Sequence, residues 1–154
     1  MCSNTPHLVA DTIQQRIQIS LLHIAEETAK EIVEHGASKV GLLGTKFTME
    51  NSFFKDWLSK FGLETLIPDG VDRDFIHASI FNELTNGIFK AETKDKYLEI
   101  IEKLCGDGAQ GVVLGCTEIP LLIDQSDCNV TVFDTAAIHC RTAVDFALSD
   151  LSRK

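Results

Sequence analysis

Three short apolar runs, each bounded by glycine or polar residues, limit what this chain can fold into more than any other feature. They occupy residues 40–44, 111–115 and 130–133. Such runs mark strands covered on both faces, because a strand with one wet face alternates apolar and polar side chains instead. Weaker strand signals lie at residues 17–22 and 64–67. Between them come stretches with helical spacing, at residues 4–16, 26–35, 49–61, 74–86, 93–104 and 136–148. Three of these stop at a glycine: Gly36, Gly62 and Gly87. Glycine is the usual residue just past a helix end because it enters the left-handed region without a steric penalty. Strands alternating with helices predict an α/β fold with a mostly parallel sheet flanked by helices.

The chain has 154 residues, enough to bury a core without metals or disulfide staples. Its 23 acidic and 14 basic side chains give a formal charge of −9, and no basic patch offers the footprint that nucleic acid requires. No apolar run approaches the roughly 20 residues of a membrane span, and no signal peptide is readable, so no membrane association is expected and the expected address is cytoplasmic. The five cysteines, Cys2, Cys105, Cys116, Cys128 and Cys140, are widely spaced without a Cys-x-x-Cys pair. This suggests neither a zinc knuckle nor a disulfide framework. His7, His23, His35, His77 and His139 lack metal-ligand spacing, and there is no Gly-x-Ser-x-Gly elbow for a serine hydrolase.

Four stretches carry chemistry-bearing residues. In the first, the apolar run ending at Leu114 leads into Gly115, Cys116, Thr117, Glu118, Ile119 and Pro120. A thiol between a strand and a helix, with Thr117 as cap, would feel the helix's positive end, which lowers a thiol's pKa and can receive a carboxylate. Such a Cys116 is either a thiolate base or a buried structural cysteine. The second stretch, Ser3, Asn4, Thr5, Pro6 and His7, reads as a capped helix start, either a second anion cradle or an ordinary chain-end cap. Thr45 and Thr48 bracket the turn after residues 40–44, with Thr48 as the expected cap. The turn lacks phosphate-loop spacing and reads as a capping turn or a carboxylate site. Asp134 and Thr135 precede the last helix, where capping is a simpler role than catalysis.

In order and context these stretches resemble the aspartate/glutamate racemase family, over residues 1 to about 150. The resemblance rests on Asn4-Thr5-Pro6-His7, Leu42-Leu43-Gly44-Thr45 with Thr48, Gly115-Cys116-Thr117-Glu118 and Phe133-Asp134. It implies one complete lobe at residues 39–130, the remnant of a first lobe at 1–38, and a segment at 131–154 returning to that lobe. It also implies cofactor-free racemisation of a small acidic amino acid, aspartate or glutamate, by two groups facing across a cleft. Cys116 would act as base and acid, with Ser3 opposite, where the family usually has a cysteine and where Cys2 lies one residue too early. Asn4, Thr5, Thr117 and Glu118 would hold the substrate, and Thr45 and Thr48 would close the cleft. Serine donates a proton more readily than it removes one, so conversion is expected to run mainly from L to D. Family members begin with a further glycine-rich strand and turn. A chain without them would pair as a homodimer or with a complete paralogue. The rival readings are a catalytically inactive remnant that binds metabolites or a partner subunit, and a protein whose upstream lobe precedes this sequence.

Overall fold

The computed structural model describes residue 1 and residues 3–151. After a 3-10 turn at Thr5–Val9 come α1 (Ala10–Gln14), α2 (Ile24–Glu34), β1 (Lys39–Leu43), α3 (Lys46–Glu50), α4 (Ser52–Lys60) and β2 (Glu64–Leu66). Then follow α5 (Gly70–Asn82), α6 (Ala91–Gly106), β3 (Gly111–Leu114), β4 (Thr131–Asp134) and α7 (Thr135–Leu151). The four strands form one sheet in the order β2-β1-β3-β4, and every neighbouring pair is parallel. This is the expected α/β architecture.

The sheet separates two apolar layers. On one face, Ile76 and Ile80 of α5 join Tyr97, Ile100 and Ile101 of α6 against Leu43, Val112 and Leu114. On the other, Ala29 and Ile32 of α2, Phe54 and Leu58 of α4 and Ile138 of α7 meet Val40, Leu42, Val113 and Phe133. Successive side chains on β1 and β3 therefore enter opposite layers, and every residue of β3 is buried. That double burial is why neither strand shows a polar alternation.

The chain leaves β1 for β2 on one side, then crosses back to place β3 on the other side of β1. Connections that depart in opposite directions open a crevice at the carboxyl ends of the two strands, where ligands of open parallel sheets bind. Two glycines keep the crevice tight at its base. A Cβ on Gly44 would meet the Gly115 carbonyl oxygen at 3.1 Å, and one on Gly115 would meet the Leu43 carbonyl oxygen at 3.0 Å.

Several local expectations are corrected. Residues 17–22 form no strand. The side chain of Gln14 satisfies this loop instead: its amide donates to the Ile19 carbonyl at 3.1 Å, and its oxygen accepts from the Leu21 N–H at 2.7 Å. Ile19 is 75% exposed, so no neighbouring strand or core rewards extension there. The helix expected at 4–16 divides into the 3-10 turn and α1. The helix expected at 49–61 is two helices, because Asn51 adopts an extended conformation and its side chain accepts from the Phe53 N–H to start α4. Thr45, not Thr48, caps α3, accepting from the Thr48 N–H at 3.3 Å.

Candidate active site

A cavity of about 250 Å³ opens at the crevice between β1 and β3, and its walls come from four parts of the chain. The turn after β1 supplies Thr45 and Thr48, and the turn after β3 supplies Gly115, Cys116, Thr117 and Glu118. The amino-terminal segment supplies Ser3, Asn4 and Thr5, while α5 and the turn following it supply Ile80, Phe81 and Thr85. All eight residues to which the resemblance gives a role in the site thus line one cavity. The wall made by Ile80, Phe81 and Thr85 carried no signal, because it lies about 30 residues from the site turn on either side of it and looks like ordinary helix.

Asn4 is held from the side opposite the cavity. The Thr135 hydroxyl donates to the Leu114 carbonyl at 2.8 Å, so its oxygen is left to accept from the Asn4 amide at 3.0 Å. This chain of two bonds fixes which way the Asn4 amide faces and anchors the amino-terminal segment to the end of β3. Asn4 is 3% exposed, and its Oδ1 has no hydrogen-bond partner among the described residues. A buried acceptor without a donor is costly, and a ligand N–H would relieve the cost. Thr135, foreseen only as a possible cap, is therefore a positioning residue. Asp134 takes the capping role for α7, accepting from the Ala136 and Ala137 N–H groups at 2.9 and 3.1 Å. It lines a different cavity, with Pro120 and Ile123.

Cys116 is 8% exposed, and its thiol donates to Glu118 Oε2 at 2.8 Å. The Thr117 hydroxyl donates to Glu118 Oε1 at 2.8 Å, so one carboxyl group gathers both neighbours. The expected α-helix does not begin here, and Thr117 caps nothing. Only a three-residue 3-10 turn, Ile119–Leu121, follows, with Glu118 at its cap position. The lowered thiol pKa expected of a helix start is overturned with it. Burial first, and the Glu118 carboxyl second, push the thiol up to about 12, although the backbone N–H groups of Glu118 and Ile119 pull the other way. At neutral pH Cys116 is a protonated thiol. Glu118→Gln is expected to bring its pKa down towards the ordinary value without reaching it, since burial persists. The pH profile of Cys116 alkylation reads this directly, and an unchanged or upward-shifted profile would contradict it.

Behind this wall three buried imidazoles pack edge to face. His7 lies 4.7 Å from His23 and 5.5 Å from His139 between ring centroids. His7 Nδ1 accepts from the Ile24 N–H at 3.4 Å, so its Nε2 carries the hydrogen shared with the Met1 carbonyl at 3.2 Å. That arrangement requires a neutral ring, and burial holds the His7 pKa down at about 4. Among the described residues no group of three or more histidine, cysteine or acidic side chains is arranged to hold a metal ion. Cys2, the alternative first thiol, lies outside the described residues.

An all-parallel four-stranded sheet with a thiol and hydroxyl groups at its switch point defines an α/β protein with a candidate small-molecule site. Residues 1–143 match the Asp/Glu/hydantoin racemase family, and the chain belongs to it. A candidate Asp/Glu racemase from Yersinia pestis has the same fold with a TM-score of 0.91 at 46% identity, covering 96% of this chain and 64% of its own. An aspartate racemase homologue from Pyrococcus horikoshii superposes with a TM-score of 0.88 at 41% identity, covering 94% and 64%. A broad-specificity amino-acid racemase of Bacillus subtilis is 25% identical over 153 residues, 95% of this chain and 63% of that protein. The chain thus spans just under two thirds of the length of these relatives. Among the described residues no helix is long and apolar enough to cross a membrane.

Proposed function

We propose that this chain is an amino-acid racemase lobe that moves the substrate's α-proton through Cys116. The observation carrying this reading is the Cys116–Glu118 contact of 2.8 Å at the mouth of the sheet, within a cavity that also contains Ser3. Ionising the thiol costs on the order of 4 kcal/mol more than for a free cysteine, from a displacement of about three pKa units. Glu118 is positioned to receive the thiol proton when an ammonium group enters and adds positive charge. The resulting thiolate takes the α-proton of an L-amino acid, and the Ser3 hydroxyl donates a proton to the opposite face while solvent reprotonates its oxygen. Asn4 Oδ1 accepts from the ammonium group, and the hydroxyls of Thr5, Thr45 and Thr48 hold the carboxylate. Excluded water and fixed polar groups stabilise the carbanion-like state between the two transfers.

Aspartate and glutamate are the substrates the family suggests, and α-proton exchange proceeds mainly from the L-isomer, because Cys116 is the competent base and Ser3 a poor one. Residues 1–38 and 131–154, whose α2, β4 and α7 pack onto the same sheet as residues 39–130, are the parts of the chain that would meet a second lobe supplied by another chain. Val144, Phe146 and Leu148 on the exposed half of α7 fit a surface covered by a second copy or by a longer paralogue. The protonated thiol favours one second reading, an inactive lobe that binds amino acids without turnover. Incubating each isomer separately in deuterated water tests both. Deuterium at the α-carbon from L-isomers, with at least tenfold less from D-isomers, is expected; equal uptake removes the directional bias, and none from either favours the inactive lobe.

A further inference from the structure

The geometry points to a substrate with an uncharged side chain, in place of the acidic one, and this inference rests on the racemase reading above. Among the described residues no lysine, arginine or histidine lines the cavity, and the one charged residue that does is Glu118. The nearby cations are engaged elsewhere: Lys46 pairs with Asp74, and Arg73 with Glu50 at 3.1 Å. An acidic substrate brings two carboxylates into this setting, and the chain's formal charge of −9 adds no attraction.

The neutral side-chain donors of this chain suffice for only one of them. The Asn4 amide already gives one hydrogen to Thr135, Thr45 and Thr48 share a bond at 3.2 Å, and the Thr85 hydroxyl is spent on the Phe81 carbonyl at 3.1 Å. Of the side-chain hydrogens that leaves the second on Asn4, one from the Thr45–Thr48 pair and the exposed hydroxyl of Thr5, with Ser3 kept for the α-carbon. One carboxylate, with about four lone-pair sites, uses all of these. A second would lie against Ile80 and Phe81 without a counter-charge from this chain, and would give up part of its hydration there for no compensating partner. An uncharged side chain such as that of methionine or leucine instead gains apolar contact at the same wall.

The test follows α-proton exchange of L-aspartate, L-glutamate, L-methionine, L-leucine and L-lysine at equal concentrations in deuterated water, with saturation-transfer NMR reporting binding of the same panel. Methionine or leucine is expected to exchange at least tenfold faster than either acidic amino acid. Phe81→Arg, at a position 54% exposed where the fold tolerates change, is expected to move the preference at least tenfold towards aspartate. An acidic amino acid or lysine leading in the native chain overturns the inference while the racemase reading stands. If nothing exchanges but the neutral amino acids bind best, the side-chain inference stands and the racemase reading falls. If nothing exchanges and nothing binds, both fall.

Discussion

Cys116→Ala is expected to lower α-proton exchange by roughly 10²–10⁴-fold, the usual loss when a positioned proton-transfer group is removed. The loss should far exceed what the accompanying drop in the unfolding midpoint explains: Cys116 is buried in the same core layer as Met49 and Leu114, so deleting its sulfur costs some stability, but exchange is compared on the folded protein. Cys116→Ser sharpens the test. Oxygen in place of sulfur keeps the size and the bond to Glu118 but makes the group far harder to ionise, so exchange should fall nearly as far as in the alanine variant. A serine variant that keeps native exchange would mean that ionisation at this position is not part of the chemistry.

Acid is expected to unfold this protein early, and the sign follows from the histidines. His7 is neutral when folded, with a pKa of about 4, and titrates near 6.5 when released. Its contribution to stability is therefore complete above pH 6.5 and is lost as the pH falls from 6.5 towards 4, since only the unfolded chain binds the proton in that window. The difference amounts to roughly 3 kcal/mol. Burial depresses His23 and His139 in the same direction, which steepens the loss. Urea denaturation at pH 7.5, 5.5 and 4.5 measures it. His7→Gln should lower stability at pH 7.5 but flatten the slope, and a native profile that stays level down to pH 4.5 would rule the account out.

Much of the sheet was legible because its central strands are buried on both faces. Nothing but a continuous apolar run fits β1 or β3, and the glycines after α2 and α4, Gly36 and Gly62, sit at the positive φ angles that their positions suggested. Two of the misreadings share one cause: a side chain took over the work of backbone. Gln14 stands in for a neighbouring strand beside residues 17–22, and Asn51 interrupts what the spacing of Phe53, Trp57 and Phe61 presents as one helix. The candidate site was legible as a set of residues, since both motifs follow strands that end at one crevice. Its electrostatics were not. The direction of the Cys116 shift depends on burial and on the reach of Glu118, and neither can be read from a thiol's place after a strand. The wall formed by Ile80, Phe81 and Thr85 was equally hidden, because α5 reaches the crevice only through tertiary packing.

The bonds running from the Leu114 carbonyl through Thr135 to Asn4 have a consequence for how the molecule can be cut down. A protease that trimmed the first few residues would leave every rung of the β-ladder in place, so far-ultraviolet dichroism would barely register the injury. The clipped product would nonetheless have a cleft missing one side. Assays of catalytic competence on preparations of this polypeptide therefore need intact mass as a companion measurement, because structural soundness alone would not reveal a trimmed end.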